Sequence, residues 1–157
     1  MKALIVYATK YGATKKIVER IASVTENVVM YDINDTSSLS ISEYDCVVIG
    51  SPLTAGTINR KIKNFTTTHT DELQTKRLGL FLSGLQKESE VEYWTQNFSQ
   101  EILDAAMAKA FLGGVFNPEK CGFFARKIIK AVAKLDSYTD TIDETKINEF
   151  VHQLIAN

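Results

Sequence analysis

MKALIVYATKYGAT, residues 1–14, is an apolar run that breaks into a loop of hydroxyls with one glycine and then opens a helix. Leu4, Ile5, Val6 and Tyr7 read as a buried parallel strand. In residues 14–22, Ile17, Val18, Ile21 and Ala22 recur at helical spacing and predict an amphipathic helix with those four inward. The loop Thr9, Lys10, Tyr11, Gly12, Ala13 and Thr14 therefore lies at a helix N-terminus. Unpaired backbone N–H groups and the positive end of the helix dipole converge there, and the hydroxyls of Thr9 and Thr14 can donate to the same anion. Gly12 lets the backbone come close to a ligand. The stretch predicts a phosphate cradle.

A chain of 157 residues is long enough for one well-cored domain, and no linker-like segment divides it, so residues 1–157 are read as a single domain. No apolar run approaches the ~20 residues of a transmembrane helix. The first apolar stretch leads straight into the loop instead of a cleavage site, so no signal peptide is expected and a cytoplasmic location is. Cys46, inside the apolar run 46–49, and the distant Cys121 fit a reducing compartment better than a disulfide framework. His69 and His152 make no ligand cluster with them, so no metal site is expected, and His152 reads as a surface or rim residue. Nucleic acid is not expected as a partner.

Strand and helix patterns alternate to the C-terminus. Further strands are predicted at 28–32, 44–50, 78–83 and 108–116, and helices at 58–65, 93–107 and 144–155. The second of these helices places Trp94, Phe98, Ile102 and Ala105 on one face, and the last turns Ile147, Phe150, Val151, Leu154 and Ile155 inward. Residues 34–43, rich in Asp and Ser, read mostly as loop. Five strands with helical crossovers predict an α/β fold, a doubly wound parallel sheet with helices on both faces.

In such a sheet a ligand sits outside the carboxyl ends of the strands. The loop after the third strand holds Ser51, Pro52, Leu53, Thr54, Ala55 and Gly56, small and polar enough for backbone to press on a flat ring. The loop after the fourth holds Ser83, Gly84, Leu85 and Gln86. Together with residues 9–14 these loops suit a mononucleotide with an aromatic ring. A phosphoacceptor domain would need carboxylates where Tyr7-Ala8-Thr9 and Gly50-Ser51 stand, while the Gly-Lys-Ser/Thr ending of a P-loop and the three spaced glycines of a dinucleotide fold are both missing.

Thr9, Gly12 and Thr14 resemble the FMN phosphate loop of the flavodoxin family, although Tyr11 and Ala13 depart from its commonest form and leave more of the phosphate to backbone donors. The resemblance implies strand order 2-1-3-4-5 and FMN as cofactor. Within that family, the opening through Thr14, the Gly50-Ser51-Pro52 stretch, the Ser83-centred loop and the tail resemble the menaquinone-dependent protoporphyrinogen oxidases. That likeness implies an oxidoreductase passing electrons through the flavin to a quinone or other acceptor, with a porphyrin-type substrate. Members of that group carry a longer insertion before the last helix, often ending in Asp-Trp, whereas here Asp143 is followed by Glu144. No general acid or base stands out, so the catalytic residues are unknown at this level. With no aromatic side chain in 51–57 or 83–87 and a net charge of −1, the chain lacks the ring sandwich and acidity of a dedicated electron carrier. A small electron-transfer flavodoxin and a flavin-free interaction domain are the alternatives.

Residues 123–135 predict a second amphipathic helix. Phe124, Ile128, Ile129, Val132 and Leu135 share an apolar arc opposite Arg126, Lys127, Lys130 and Lys134, and 120–135 contains five basic residues and no acid. Such a helix either packs its arc on the sheet or meets an anionic membrane surface or a porphyrin's carboxylates. Peripheral contact with the inner face of a membrane is expected on the second reading.

Overall fold

The computed structural model describes residues 1–35, 38–85 and 90–156. Its centre is a parallel sheet of β1 (Ala3–Tyr7), β2 (Val28–Asp32), β3 (Cys46–Pro52), β4 (Arg77–Ser83) and β5 (Ala106–Phe111) in the order 2-1-3-4-5. Alternation along β1 explains why its run is wholly apolar. Leu4 and Val6 face one core cluster while Ala3, Ile5 and Tyr7 face the other, so both sides of the strand are covered.

The first cluster is closed by α2 (Arg60–Thr68), α3 (Thr70–Leu73), α4 (Glu90–Asn97) and α5 (Gln100–Ala105), through Ile62, Phe65, Leu73, Trp94 and Ile102, with Phe98 from the break between α4 and α5. The second is closed by α1 (Ala13–Ser23) and by a C-terminal helix over Glu144–Ile155, through Ile17, Val18, Ile21, Ile147, Phe150, Val151 and Leu154. The doubly wound architecture is therefore the one predicted.

Register places the site. Tyr7 pairs with Gly50, Gly50 with Phe81, Pro52 with Ser83 and Leu82 with Phe111, so the loops leaving β1, β3, β4 and β5 emerge from one edge.

Several boundaries differ from the sequence reading. The helix expected over 93–107 is two helices, because Ser99 takes an extended backbone and caps α5 by accepting from Ile102 N at 3.5 Å. Met107 consequently belongs to β5. The strand expected over 108–116 ends at Phe111, where the chain turns through Gly113 at φ 81°. Val115–Phe116 is a separate strand, β6, paired antiparallel with β7 (Thr139–Asp140). The two form the neck of an excursion over 117–138 that carries α6 (Phe123–Ala133). Lys134, left-handed at φ 54°, stops α6 before Leu135.

The last helix, α7 (Glu144–Ile155), is capped by Asp143, whose carboxylate accepts from Lys146 N at 3.1 Å. Ile155, expected inward, is 46% exposed, since it ends the helix beyond the sheet that covers Leu154. Asn59 accepts from Lys61 N at 2.8 Å and so delays the start of α2 to Arg60. Among the described residues no helix is long and apolar enough to cross a membrane.

Candidate functional site

A cavity of about 590 Å³ opens at the carboxyl edge of the sheet, within the size range of small-ligand sites. Thr9, Lys10, Tyr11, Ala13 and Thr14 line it from the first loop, Pro52, Leu53, Thr54, Ala55 and Gly56 from the second, and Ser83, Gly84 and Leu85 from the third. The structure thus brings these sequence-predicted residues to one wall. Gly12 and Ser51 belong to these loops without lining the cavity themselves, and Gln86 falls outside the described residues.

Each loop has a local reason for its shape. Gly12 precedes α1 in a left-handed conformation at φ 91°, and no side chain caps the helix there. Its first-turn amides are therefore left for an anion. Gly12 N donates to Thr9 Oγ1 at 3.1 Å, which folds the loop onto the helix end. A Cβ on Gly12 would meet no atom within 4 Å, so the space beside the loop is open. Lys10 supplies a cation on the same wall, with its Nζ 5.2 Å from the Tyr11 ring centroid.

Thr14 is buried, and its Oγ1 lies 2.8 Å from Ser83 Oγ, so one hydrogen bond ties the first loop to the third. Ser51 is equally buried. Its hydroxyl accepts from Asn59 N at 2.9 Å and donates to the Pro52 carbonyl at 3.0 Å, which fixes the start of the second loop. The second loop then reverses in a tight turn, where Thr54 N donates to Thr57 O at 2.9 Å and Thr57 N to Thr54 O at 3.0 Å. Ala55 and Gly56 sit at φ 49° and 78° in that turn. Two successive positive φ values are the geometry of a two-residue hairpin turn, and Gly56 adopts its share at no steric cost.

The far side of the cavity is apolar. Phe111, Val115, Phe116, Cys121, Ala125, Ile128 and Ile129 form it, from β5, β6, the segment that follows β6, and α6. None of these residues was singled out from the sequence as part of the site except Ile128 and Ile129, and those two only as members of an amphipathic arc. The position of Phe111 at the carboxyl end of the last sheet strand was the available signal; a strand as short as β6 leaves none.

α6 does not pack its arc on the sheet. Phe124 and Ile128 are 80% and 63% exposed, Phe123 67%, and only Ala125 and Ile129 are half-buried at the cavity rim; the Val132 side chain lies outside the described ones. Arg126 donates to the Pro118 carbonyl, and Lys127 Nζ stands 4.7 Å from the Phe123 ring centroid. At the neck, Lys16 on α1 reaches Tyr138 Oη at 3.3 Å and Asp140 Oδ2 at 3.4 Å. The Tyr138 and Asp140 hydrogen bonds raise the Lys16 pKa.

Residues 4–143 match the model of the flavodoxin domain family. The chain belongs to that family. Among solved structures, this flavodoxin-domain chain is similar to a short-chain flavodoxin associated with a non-canonical PDU bacterial microcompartment, at 18% identity and a TM-score of 0.62, covering 99% of this chain and 97% of that one. Oxidised flavodoxin 1 from Bacillus cereus aligns over the same shares at 16% identity and a TM-score of 0.61. A flavoprotein in complex with FMN from Lactobacillus acidophilus aligns over 71% of this chain and 90% of its own, at 19% identity and a TM-score of 0.50. At these identities the likeness is one of fold. No curated protein matches the chain significantly.

Proposed function

We propose that this flavodoxin-domain chain binds FMN in the cavity and passes electrons through it, as an oxidoreductase of the protoporphyrinogen-oxidase-like group with a quinone or similar acceptor and a porphyrin-type substrate. The observation that carries the cofactor is the convergence of three loops on one cavity, with an uncapped helix end and Lys10 at one end of it. The residues fit the group. Thr9, Lys10, Tyr11, Ala13 and Thr14 would hold the phosphate through first-turn amides, hydroxyl and ammonium, while residues 52–56 and 83–85 would flank the ring. When bound, the flavin supplies the redox chemistry, and the protein supplies binding, orientation and exclusion of water.

Support for an enzyme over a pure carrier comes from the far wall. Phe111, Phe116, Ala125, Ile128 and Ile129 give the cavity an apolar extension suited to a flat hydrophobic reactant beside the flavin. Phe123, Phe124 and Ile128, exposed among Lys120, Arg126, Lys127, Lys130 and Lys134, suit docking on an anionic bilayer. The flavin reading is tested by titrating the purified protein with FMN and following the absorption spectrum of the bound flavin. Saturable uptake supports it, and no uptake refutes it.

The membrane reading has its own test, sedimentation with vesicles containing anionic lipid. Each basic residue near such a surface is worth about 1 kcal/mol, so replacing Arg126, Lys127, Lys130 and Lys134 together by Gln removes measurable binding, and added salt weakens the wild type in the same way. FMN affinity stays unchanged in the variant. Wild-type protein that ignores the vesicles contradicts the membrane reading and leaves α6 as a wall of the cavity.

A further inference from the structure

Asn97 closes α4 and is 3% exposed, a polar side chain buried in the helical layer. Its amide is almost fully used. Nδ2 donates to the Gly56 carbonyl at 2.9 Å and to the Tyr93 carbonyl at 2.8 Å, and Oδ1 accepts from Ile58 N at 3.0 Å. A side-chain amide has two donor hydrogens and a carbonyl acceptor, so both hydrogens and one acceptor site are committed.

Two of the three partners bracket Thr57, the residue that closes the 54–57 turn. Thr54, Ala55 and Gly56 of that turn form part of the cavity wall. The turn is short, with two residues at positive φ, so its placement against the rest of the domain needs anchors. Ser51 anchors the start of the loop through Asn59 N, and Asn97 anchors its tip through Gly56 O and Ile58 N. The third partner, Tyr93 O, belongs to α4, the helix that follows the third loop in the chain. One buried amide therefore joins the second loop to α4.

We propose that Asn97 is a positioning residue for the flavin ring: it sets the position of the 54–57 turn against α4, and with it the shape of the ring-binding part of the cavity. This rests on the FMN reading above. The phosphate end, built on α1, is independent of Asn97. A change at Asn97 is thus felt equally by FMN and by riboflavin, which share the ring and differ in the phosphate.

The test uses Asn97→Asp, which keeps the shape and the acceptor for Ile58 N but turns a second oxygen on the Gly56 and Tyr93 carbonyls. Affinity for FMN and for riboflavin is measured by titration, the bound-flavin spectrum is recorded, and amide exchange at Thr57 and Ile58 is followed without flavin. The expected result is a loss of about tenfold in affinity for both flavins, with their ratio preserved, a shifted spectrum, and faster exchange at both amides. If the Asp variant does not fold, Asn97→Ser removes the amide donors more mildly and is read in the same way. A folded variant that has lost urea stability but binds both flavins as wild type does, with an unshifted spectrum, overturns the proposal and leaves Asn97 a packing residue. So does a loss confined to FMN. Wild-type protein that takes up neither flavin overturns the cofactor reading itself and is told apart from these outcomes before any variant is made.

Discussion

Thr14 joins two parts of the site that the sequence shows only separately. Its hydroxyl, expected to face an anion, is buried and hydrogen-bonded to Ser83 at 2.8 Å, so the first turn of α1 holds the end of β4 in place. Replacing Thr14 by Val leaves the Ser83 hydroxyl buried without that partner. The expected cost is about 1 to 3 kcal/mol of stability in the protein without flavin, read by urea denaturation. FMN binding weakens by roughly 1 to 3 kcal/mol in addition, and Thr14→Ser restores most of both. An unchanged urea midpoint contradicts the structural role of the bond. Cys46 gives a prediction in pH. Burial in β3, chiefly, pushes its thiol up from 9.0 to about 11, against a smaller opposing effect of Arg77. The unfolded chain then loses the thiol proton at lower pH than the folded one, so stability is fully present below pH ~9 and is lost as pH rises toward ~11. The loss amounts to about 2 to 3 kcal/mol. Tyr7, its pKa also raised mainly by burial, adds to the same trend. Urea midpoints measured across this range fall more steeply for wild type than for Cys46→Ala; parallel curves contradict the assignment.

Elements were legible in the sequence in proportion to how local their causes are. β1, β2 and α1 are announced by apolar period and by Gly12, and they lie where the pattern puts them to within a residue or two. The break at Ser99 was not, because Trp94, Phe98, Ile102 and Ala105 keep one helical face across it and the apolar pattern alone gives no sign of the cap. β7, and the separation of β6 from β5, were invisible for a different reason. Two-residue strands carry no period, and each exists only through the other. α6 was found as a helix, yet which way its arc faces depends on the neck that β6 and β7 build, a tertiary fact. The loops of the site show the same division. Residues 9–14, 52–56 and 83–85 could be picked out because they follow recognisable strands, whereas Phe111, Phe116 and Cys121 reach the cavity by routes that only the fold defines. Asn97 has no sequence signal at all, since its partners lie 39 to 41 residues away, apart from Tyr93.

At the scale of the molecule, a parallel sheet in the order 2-1-3-4-5 with helices on both faces brings the carboxyl ends of its strands to one edge, and the loops leaving β1, β3, β4 and β5 meet in a cavity of about 590 Å³. The arrangement separates two tasks. The α1 end offers amides, hydroxyl and Lys10 to an anion, and the 54–57 turn, Leu85 and the apolar residues across the cavity are left for a flat ring. A ligand with both a phosphate and an aromatic ring uses the whole site, and one lacking the phosphate uses half. The most direct measurement is a pair of calorimetric titrations of the purified protein, one with FMN and one with riboflavin. The account predicts saturable one-to-one binding of FMN and markedly weaker binding of riboflavin, with the gap between them shrinking when Lys10 is changed to Gln. Equal affinities for the two flavins, or no binding of either, would contradict it.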